Sequence, residues 1–184
     1  MSAWTLGVND DGLRIKFGTQ EADKAAGGFS VTGGDHEYLE FDIDYTELES
    51  ATTAIVGSVS NPGAFGVELP EGARLLKIET EVETAFTSTG TVGTATIVLG
   101  TKKSSDRSTE LDHDGLLTAS ATGTALGIAT VGTVTTIGVG DTGAGAQLGT
   151  TLAEEGVIVA ANSQHGSHPL KAGKLRVRVF YRVA

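Results

Sequence analysis

The chain has 184 residues, a formal net charge of −10, 26 glycines, no cysteine and an aromatic content of 5%. An acidic surface repels phosphate groups, which excludes nucleic acid and anionic membranes as expected partners. The lack of cysteine excludes disulfides, thiolate metal sites and a cysteine nucleophile. The length suits one domain with its own core, and the glycine-rich composition favours short strands and turns over long helices.

The N-terminal segment, residues 1–34, has few apolar side chains and several glycines. It lacks the basic stretch and apolar run of a signal peptide. Alternating residues at 13–17 predict a short strand, and a second small strand is expected around Phe29 and Val31. The segment is expected to be either an arm that becomes ordered on contact with a partner or an edge strand of the main domain. The anchors of such an arm are expected to be its larger apolar residues, namely Trp4, Leu6, Leu13, Ile15 and Phe17.

Two segments alternate between apolar and polar residues in the manner of half-buried strands. In residues 36–45 the odd positions from Leu39 are apolar and the even positions are acidic. In residues 74–86 the even positions from Leu76 to Phe86 form the predicted inner face, and Lys77 with three glutamates forms the outer one. Residues 94–99 are expected to return beside this strand as a hairpin.

The remaining segments differ in how clearly they predict structure. Residues 46–59 permit both a helical turn and a strand before the turn at Asn61-Pro62-Gly63, and residues 101–115 are polar enough to predict a surface loop. Residues 119–149 leave two interpretations open, a flexible linker or closely packed strands of small residues. The spacing of β-branched residues favours strands there: Val131, Val134, Ile137 and Val139.

Two further strands are predicted near the C-terminus, at residues 151–160 and 175–183. In the last strand, arginines alternate with Val177, Val179 and Tyr181. Seven to nine strands separated by glycine-rich turns predict an all-β fold, an antiparallel β-sandwich that is jelly-roll-like and carries an N-terminal extension. The expected division is therefore residues 1–34 as arm or edge strand and residues 35–184 as the sandwich domain.

Opposite charges are concentrated in two separate segments. Residues 35–49 hold seven acidic residues, and the C-terminal segment holds five basic ones. These outward faces either lie on adjacent strands of one sheet, where each opposite pair contributes roughly 0.2–1 kcal/mol, or meet across a subunit boundary. A third interpretation is that each is a solvated face. In the subunit interpretation, the interface residues of the last strand are Arg176, Arg178 and Arg182.

No catalytic motif is found in the sequence. A nucleophile elbow, a phosphate-binding loop and a dinucleotide fingerprint are all missing. His165 and His168 lack helical spacing and an evident third ligand, and Asp112-His113-Asp114-Gly115 lacks the extended ligand loop of an EF-hand. Plain turns are expected at both places. We therefore predict a protein that is not an enzyme and that needs no cofactor or metal.

Two stretches resemble structural proteins of tailed bacteriophages. ETEVETAFTS at residues 79–88, followed by ATIVLGT at residues 95–101, is similar to a hairpin that recurs in β-sandwich head or decoration proteins. LKAGKLRV at residues 170–177 is similar to a final strand of such proteins. The resemblance covers roughly residues 69–101 and 170–183, and these motifs contain no catalytic residue.

The resemblance implies a virion component, namely a capsid decoration or cement protein. Its expected partners are the major capsid protein and further copies of itself, as a dimer or trimer. The expected location is the capsid surface, after synthesis in the host cytoplasm. The alternative is a receptor-binding or glycan-binding module on a tail or fibre, for which Asp112, His113 and Asp114 are the candidate Ca²⁺ ligands.

Overall fold

A computed structural model describes residues 6–8, 14–16, 29–33, 36–57 and 67–183, with only the backbone described for residues 6–8, 14–16, 29–33 and 36. Within these residues there are twelve strands, a four-residue helix α1 (Gly123–Leu126) and two 3₁₀ turns (Tyr45–Leu48 and Val92–Thr94). The strands are β1 (Leu6–Val8), β2 (Arg14–Lys16), β3 (Phe29–Gly33), β4 (His36–Asp44), β5 (Ala54–Ile55), β6 (Glu68–Leu69), β7 (Ala73–Ser88), β8 (Ile97–Lys103), β9 (Glu110–Leu117), β10 (Val134–Gly138), β11 (Gly156–Asn162) and β12 (Leu170–Val183). None of the described helices is long and apolar enough to cross a membrane.

The strands form two antiparallel sheets. The order of the seven-stranded sheet is β1-β2-β3-β4-β12-β7-β10, and that of the other is β5-β11-β8-β9, with β6 also paired to β11. Residues of both sheets contribute to one buried cluster, which includes Ile43, Ile78 and Val177 from the first sheet and Leu99 and Ile158 from the second. The predicted antiparallel β-sandwich is therefore confirmed.

The N-terminal strands extend the seven-stranded sheet. β3 pairs with β4, β2 with β3, and β1 with β2, all antiparallel. Of the anchors expected for an arm, Leu6 and Ile15 belong to β1 and β2, and Trp4, Leu13 and Phe17 lie outside the described residues. The turn expected at residues 61–63 also lies outside them.

The alternation predicted for residues 74–86 is interrupted near its start. Phe180 pairs with Lys77 and Tyr181 with Leu75, so Leu76 is an extra residue in the β7 strand. A bulge of this kind shifts the alternation by one position. Leu75 is consequently fully buried and Leu76 is not, which corrects the predicted inner face at this end of the strand.

Two predictions about the middle of the chain are wrong. Residues 94–99 do not form a hairpin with β7, because β8 lies in the opposite sheet between β11 and β9. The loop predicted for residues 101–115 is limited to residues 104–109, because β8 continues to Lys103 and β9 begins at Glu110. The polar residues there misled the prediction, since β9 is an edge strand with much of its surface in solvent.

Residues 119–149 are packed and are not a linker. They contain α1 and β10, and Leu126, Ile128, Ile137 and Leu148 are buried in the core. The segment 46–59, for which both a helical turn and a strand were possible, contains both. Residues 45–48 form a 3₁₀ turn after β4, and residues 54–55 form the short strand β5.

Candidate functional site

The outer face of the seven-stranded sheet carries a row of cations between two rows of carboxylates. Lys174, Arg176 and Arg178 project from β12, which lies between β4 and β7. These side chains alternate with buried residues, since successive residues of a strand point to opposite faces. Together with their acidic partners they form what we call the ionic ladder: Lys174, Arg176, Arg178, Glu40, Asp42, Glu79, Glu81 and Glu83.

Arg178 joins three strands of this ladder. Its Nε donates to Glu40 Oε2 at 2.5 Å, its Nη1 to Glu79 Oε1 at 2.7 Å and its Nη2 to Glu81 Oε2 at 3.2 Å. Burial alone would lower the pKa of Arg178, but the hydrogen bonds to Glu40 and Glu79 outweigh it and raise that pKa. The fork of a guanidinium suits such multiple carboxylate contacts.

The other end of the ladder is built on Lys174 and Arg176. Lys174 Nζ lies 2.6 Å from Asp42 Oδ2 and 2.8 Å from Glu83 Oε2, and Arg176 also bonds Glu83. The hydrogen bond from Lys174 is the main cause of a lowered pKa of Glu83. Hydrogen bonds to Asp42 and Glu83 raise the pKa of Lys174.

The structure thus places the acidic and basic segments on adjacent strands of one sheet. Each cation of the ladder has carboxylate partners within its own chain. Because the ladder holds five carboxylates for three cations, its outer surface keeps a surplus of negative charge. A role of Arg176 and Arg178 at a subunit interface stays a prediction.

Arg182 lies beyond the ladder, directly opposite Arg74 in the β12–β7 register. Both residues are exposed, and neither forms an ion pair with any residue that the structure describes. Like charges directly opposite each other on a sheet are destabilising. The sequence predicted Arg182 as an interface residue but missed Arg74, which becomes recognisable only once the strand register is known.

An aromatic contact lies between the ladder and this arginine pair. The rings of Tyr38 and Phe180 are 5.4 Å apart, and Lys77 Nζ lies 4.3 Å from the centre of the Phe180 ring. Such a cation–π contact contributes roughly 0.5–1 kcal/mol at an exposed site. The outer face therefore changes along β12 from ionic to aromatic to cationic.

A second cluster lies on the edge strand β9. The ligand atoms of Asp112, His113 and Asp114 all lie within 4.8 Å of one another. Three consecutive side chains converge because β9 bulges here: Leu99 pairs with Leu117, but Thr101 pairs with Asp112. Gly100 makes the bulge possible, since a Cβ at that position would clash with the backbone of Asp112 and His113.

The electrostatics of the β9 cluster favour a cation that the neighbouring carboxylates share. Burial and the neighbouring Asp114 carboxyl raise the pKa of Asp112. His113 Nδ1 lies 3.9 Å from Asp114 Oδ1 and 3.9 Å from Glu110 Oε2. Carboxylate oxygens are the ligands that Ca²⁺ prefers. The plain turn expected for these residues is replaced by a bulged strand.

His165 and His168, which precede β12, do not form a metal site with other described residues. His168 Nδ1 accepts the Thr91 N–H at 2.9 Å. His165 Nδ1 is buried and has no hydrogen-bond partner among the residues described. The His168 contact ties the 162–169 turn to the loop after β7, which is a structural role.

Comparison with known proteins gives similarity of fold. No family model matches the chain, and no curated protein matches it. A chain of the capsid of Ralstonia phage GP4 superimposes with a TM-score of 0.50 at 17% identity, covering 83% of this chain and 87% of that one. A chain of the cyanophage Pam1 capsid asymmetric unit has a TM-score of 0.42 at 20% identity, with the same coverage. The GP4 match shows that this β-sandwich also occurs in a phage capsid chain of similar length.

Proposed function

We propose that this protein is a structural component of a tailed-phage virion that binds the capsid shell and stabilises it, as a decoration or cement protein. The observation that carries the proposal is the fold shared with a chain from the capsid of Ralstonia phage GP4. The mutual coverage of 83% and 87% means that the two chains have similar lengths and that the likeness extends over most of each. The resemblance of residues 79–101 and 170–177 to phage head proteins supports the same role.

The mechanism of such a protein is mechanical. A protein that binds the assembled shell and not its separated subunits raises the free energy of disassembly by mass action. The major capsid protein is the proposed partner. The Arg74–Arg182 pair is suited to an acidic patch on that partner, because opposite charges attract across an interface. Such charges at the rim of an interface influence the association rate and the register more than the affinity.

The N-terminal segment is the second proposed contact. Its proposed anchors are Trp4, Leu6, Leu13, Ile15 and Phe17, because aromatic side chains dominate many interfaces energetically. Arg176 and Arg178 would contribute to the contact with the shell indirectly, because they hold the carboxylates of the ionic ladder in place.

Copy number in purified virions tests the proposal. Quantitative mass spectrometry should find this chain in numbers comparable to the main shell protein. A handful of copies would instead indicate a tail or fibre location, and complete absence would refute a virion role.

Binding to particles that lack the protein tests the two contacts separately. Deleting residues 1–17 should abolish binding. R74E/R182E should weaken binding, and the loss should be larger at low salt, because exposed charges are less screened at low ionic strength. E71Q is a matched control, since Glu71 is an exposed charge next to the same strand. Unchanged binding of the deletion variant would eliminate the arm.

The β9 cluster favours the second candidate, a receptor-binding or glycan-binding module that uses Ca²⁺. Asp112, His113 and Asp114 supply the converging ligand atoms. Calcium should then raise the melting temperature of the wild-type chain and leave that of D112N/D114N unchanged. No shift in the wild type would remove this candidate.

A further inference from the structure

In the described part of the chain, the seven-stranded sheet has an open edge at β10. Four large hydrophobic residues are exposed in the described part of the chain, and three of them lie at this edge: Val131 is 61%, Val134 54% and Val139 64% exposed. Among the strands that the structure describes, β10 ends the sheet and pairs only with β7. An exposed strand edge is a template for pairing with another strand.

The backbone groups available at this edge follow from the β10–β7 ladder. Val82 accepts from Gly132 N–H at 2.8 Å and donates to Thr133 O at 3.0 Å. In an antiparallel pair, hydrogen-bonded positions alternate with non-bonded ones, so Val134 and Thr136 direct their N–H and C=O groups away from β7. Gly138 lies on the same side, and its N–H is already bonded to Asp141 Oδ2 at 2.8 Å.

Charge distinguishes this edge from the rest of the molecule. Residues 115–140 contain no acidic residue, lysine, arginine or histidine, although the chain carries a net charge of −10. Natural edge strands are commonly protected by charged residues or proline, and β10 has neither. Two copies of this acidic chain can approach here without placing like charges against each other.

Two of the three exposed valines are also arranged symmetrically. Val131 lies four residues before Thr135 and Val139 four residues after it. Each of these two valines precedes a glycine with positive φ, +79° at Gly132 and +85° at Gly140, so similar turns flank the strand. An antiparallel pair of β10 strands centred on Thr135 would place Val134 opposite the partner's Thr136. It would also bring the turn that holds Val131 next to the partner's turn that holds Val139.

We propose that β10 is a self-association edge, through which two copies of this chain pair their seven-stranded sheets antiparallel about a two-fold axis at Thr135. Val134 and Thr136 of one copy exchange hydrogen bonds with the partner's Thr136 and Val134. The contact is isologous, as in most dimers, because the same surface serves both copies. This proposal does not depend on the virion role.

The size of the contact limits its strength. Specific stable interfaces bury about 1,200–2,000 Å², and a contact confined to one five-residue strand and its two turns lies below that range. We therefore expect a weak dimer that forms as concentration rises.

Sedimentation velocity of the full chain tests the pairing, in about 0.15 M NaCl to screen the net charge. Between about 10 µM and about 1 mM, the wild-type sedimentation coefficient should rise from monomer towards dimer. V131K and V139E should each weaken association roughly tenfold or more. Val131 and Val139 lie beyond opposite ends of β10, too far apart to pair within one chain.

The double variant V131K/V139E fixes the register. In the proposed dimer each lysine faces the partner's glutamate, so dimerisation should recover relative to either single variant. V183K is the matched control, because Val183 is an exposed valine at the end of another strand, 43% exposed, and it should dimerise like the wild type. A wild-type chain that stays monomeric throughout, or a double variant that does not recover, would overturn the proposal. Circular dichroism of each variant checks that it is folded.

Discussion

Arg178 and Glu79 lie directly opposite each other in the β12–β7 register, and their side chains meet at 2.7 Å. The same guanidinium reaches Glu40 on the other neighbouring strand. A single side chain therefore links three central strands of the sheet through its outer face, while the hydrophobic core holds them from the inner face.

Replacing Arg178 by methionine should lower the free energy of unfolding by about 1–3 kcal/mol, because three half-buried carboxylates lose their shared donor. R178K should lose less, since it keeps the charge but not the fork of donors. Urea denaturation at neutral pH measures both. R182M is the control and should remain within about 0.5 kcal/mol of the wild type; an equal loss in R182M would contradict this role of the ladder.

Acid should weaken the ladder through Glu83. Its pKa is lowered in the folded chain from 4.5, chiefly by the hydrogen bond from Lys174, so the folded state binds this proton less readily than the unfolded state. The stabilisation is complete above the unfolded pKa of 4.5 and is lost as pH falls through the folded pKa. E83Q should therefore be less stable than the wild type at pH 7, and the difference should shrink below pH 4.5. A difference that stays constant with pH would disprove the linkage.

The β9 cluster should show the opposite dependence on pH. The pKa of Asp112 is raised from 3.8 by burial and by Asp114, so ionising Asp112 costs folding stability. That cost is absent below the unfolded pKa and develops as pH rises through the folded pKa. In metal-free buffer, D112N should be more stable than the wild type at pH 7 and no more stable at pH 3. Thermal unfolding at the two pH values checks this, and a stabilisation at pH 3 would count against it.

Gly173 should not tolerate a side chain. It has φ +129°, and a Cβ there would overlap the ring of Phe86. G173A should lose at least about 2 kcal/mol of stability from backbone strain and overpacking together. G166A is the matched control, because nothing lies within 4 Å of its added Cβ, and it should be nearly neutral. Similar stabilities of the two variants would show that the first residues of β12 adapt to the added methyl group.

Much of the candidate site was predictable, but only strand by strand. Alternation assigned Arg176 and Arg178 to an outer face and Val177 and Val179 to an inner one, as the structure has them. It could not choose between pairing within the chain and pairing across a subunit boundary, because alternation contains no information about neighbours. Arg74 was missed for the same reason.

The amino-acid sequence alone indicates the all-β class, the position of the strongest strands and the acidic character of the surface. These properties follow from local periodicity and composition, which every residue carries with it. Three features become visible only in the folded chain. β8 leaves β7 for the opposite sheet, Gly100 admits a bulge that gathers Asp112, His113 and Asp114, and β10 is the last described strand of its sheet, with three exposed valines in and beside it. Which strands pair depends on which apolar faces, from distant parts of the chain, are buried together. That burial involves the whole core and not any one segment.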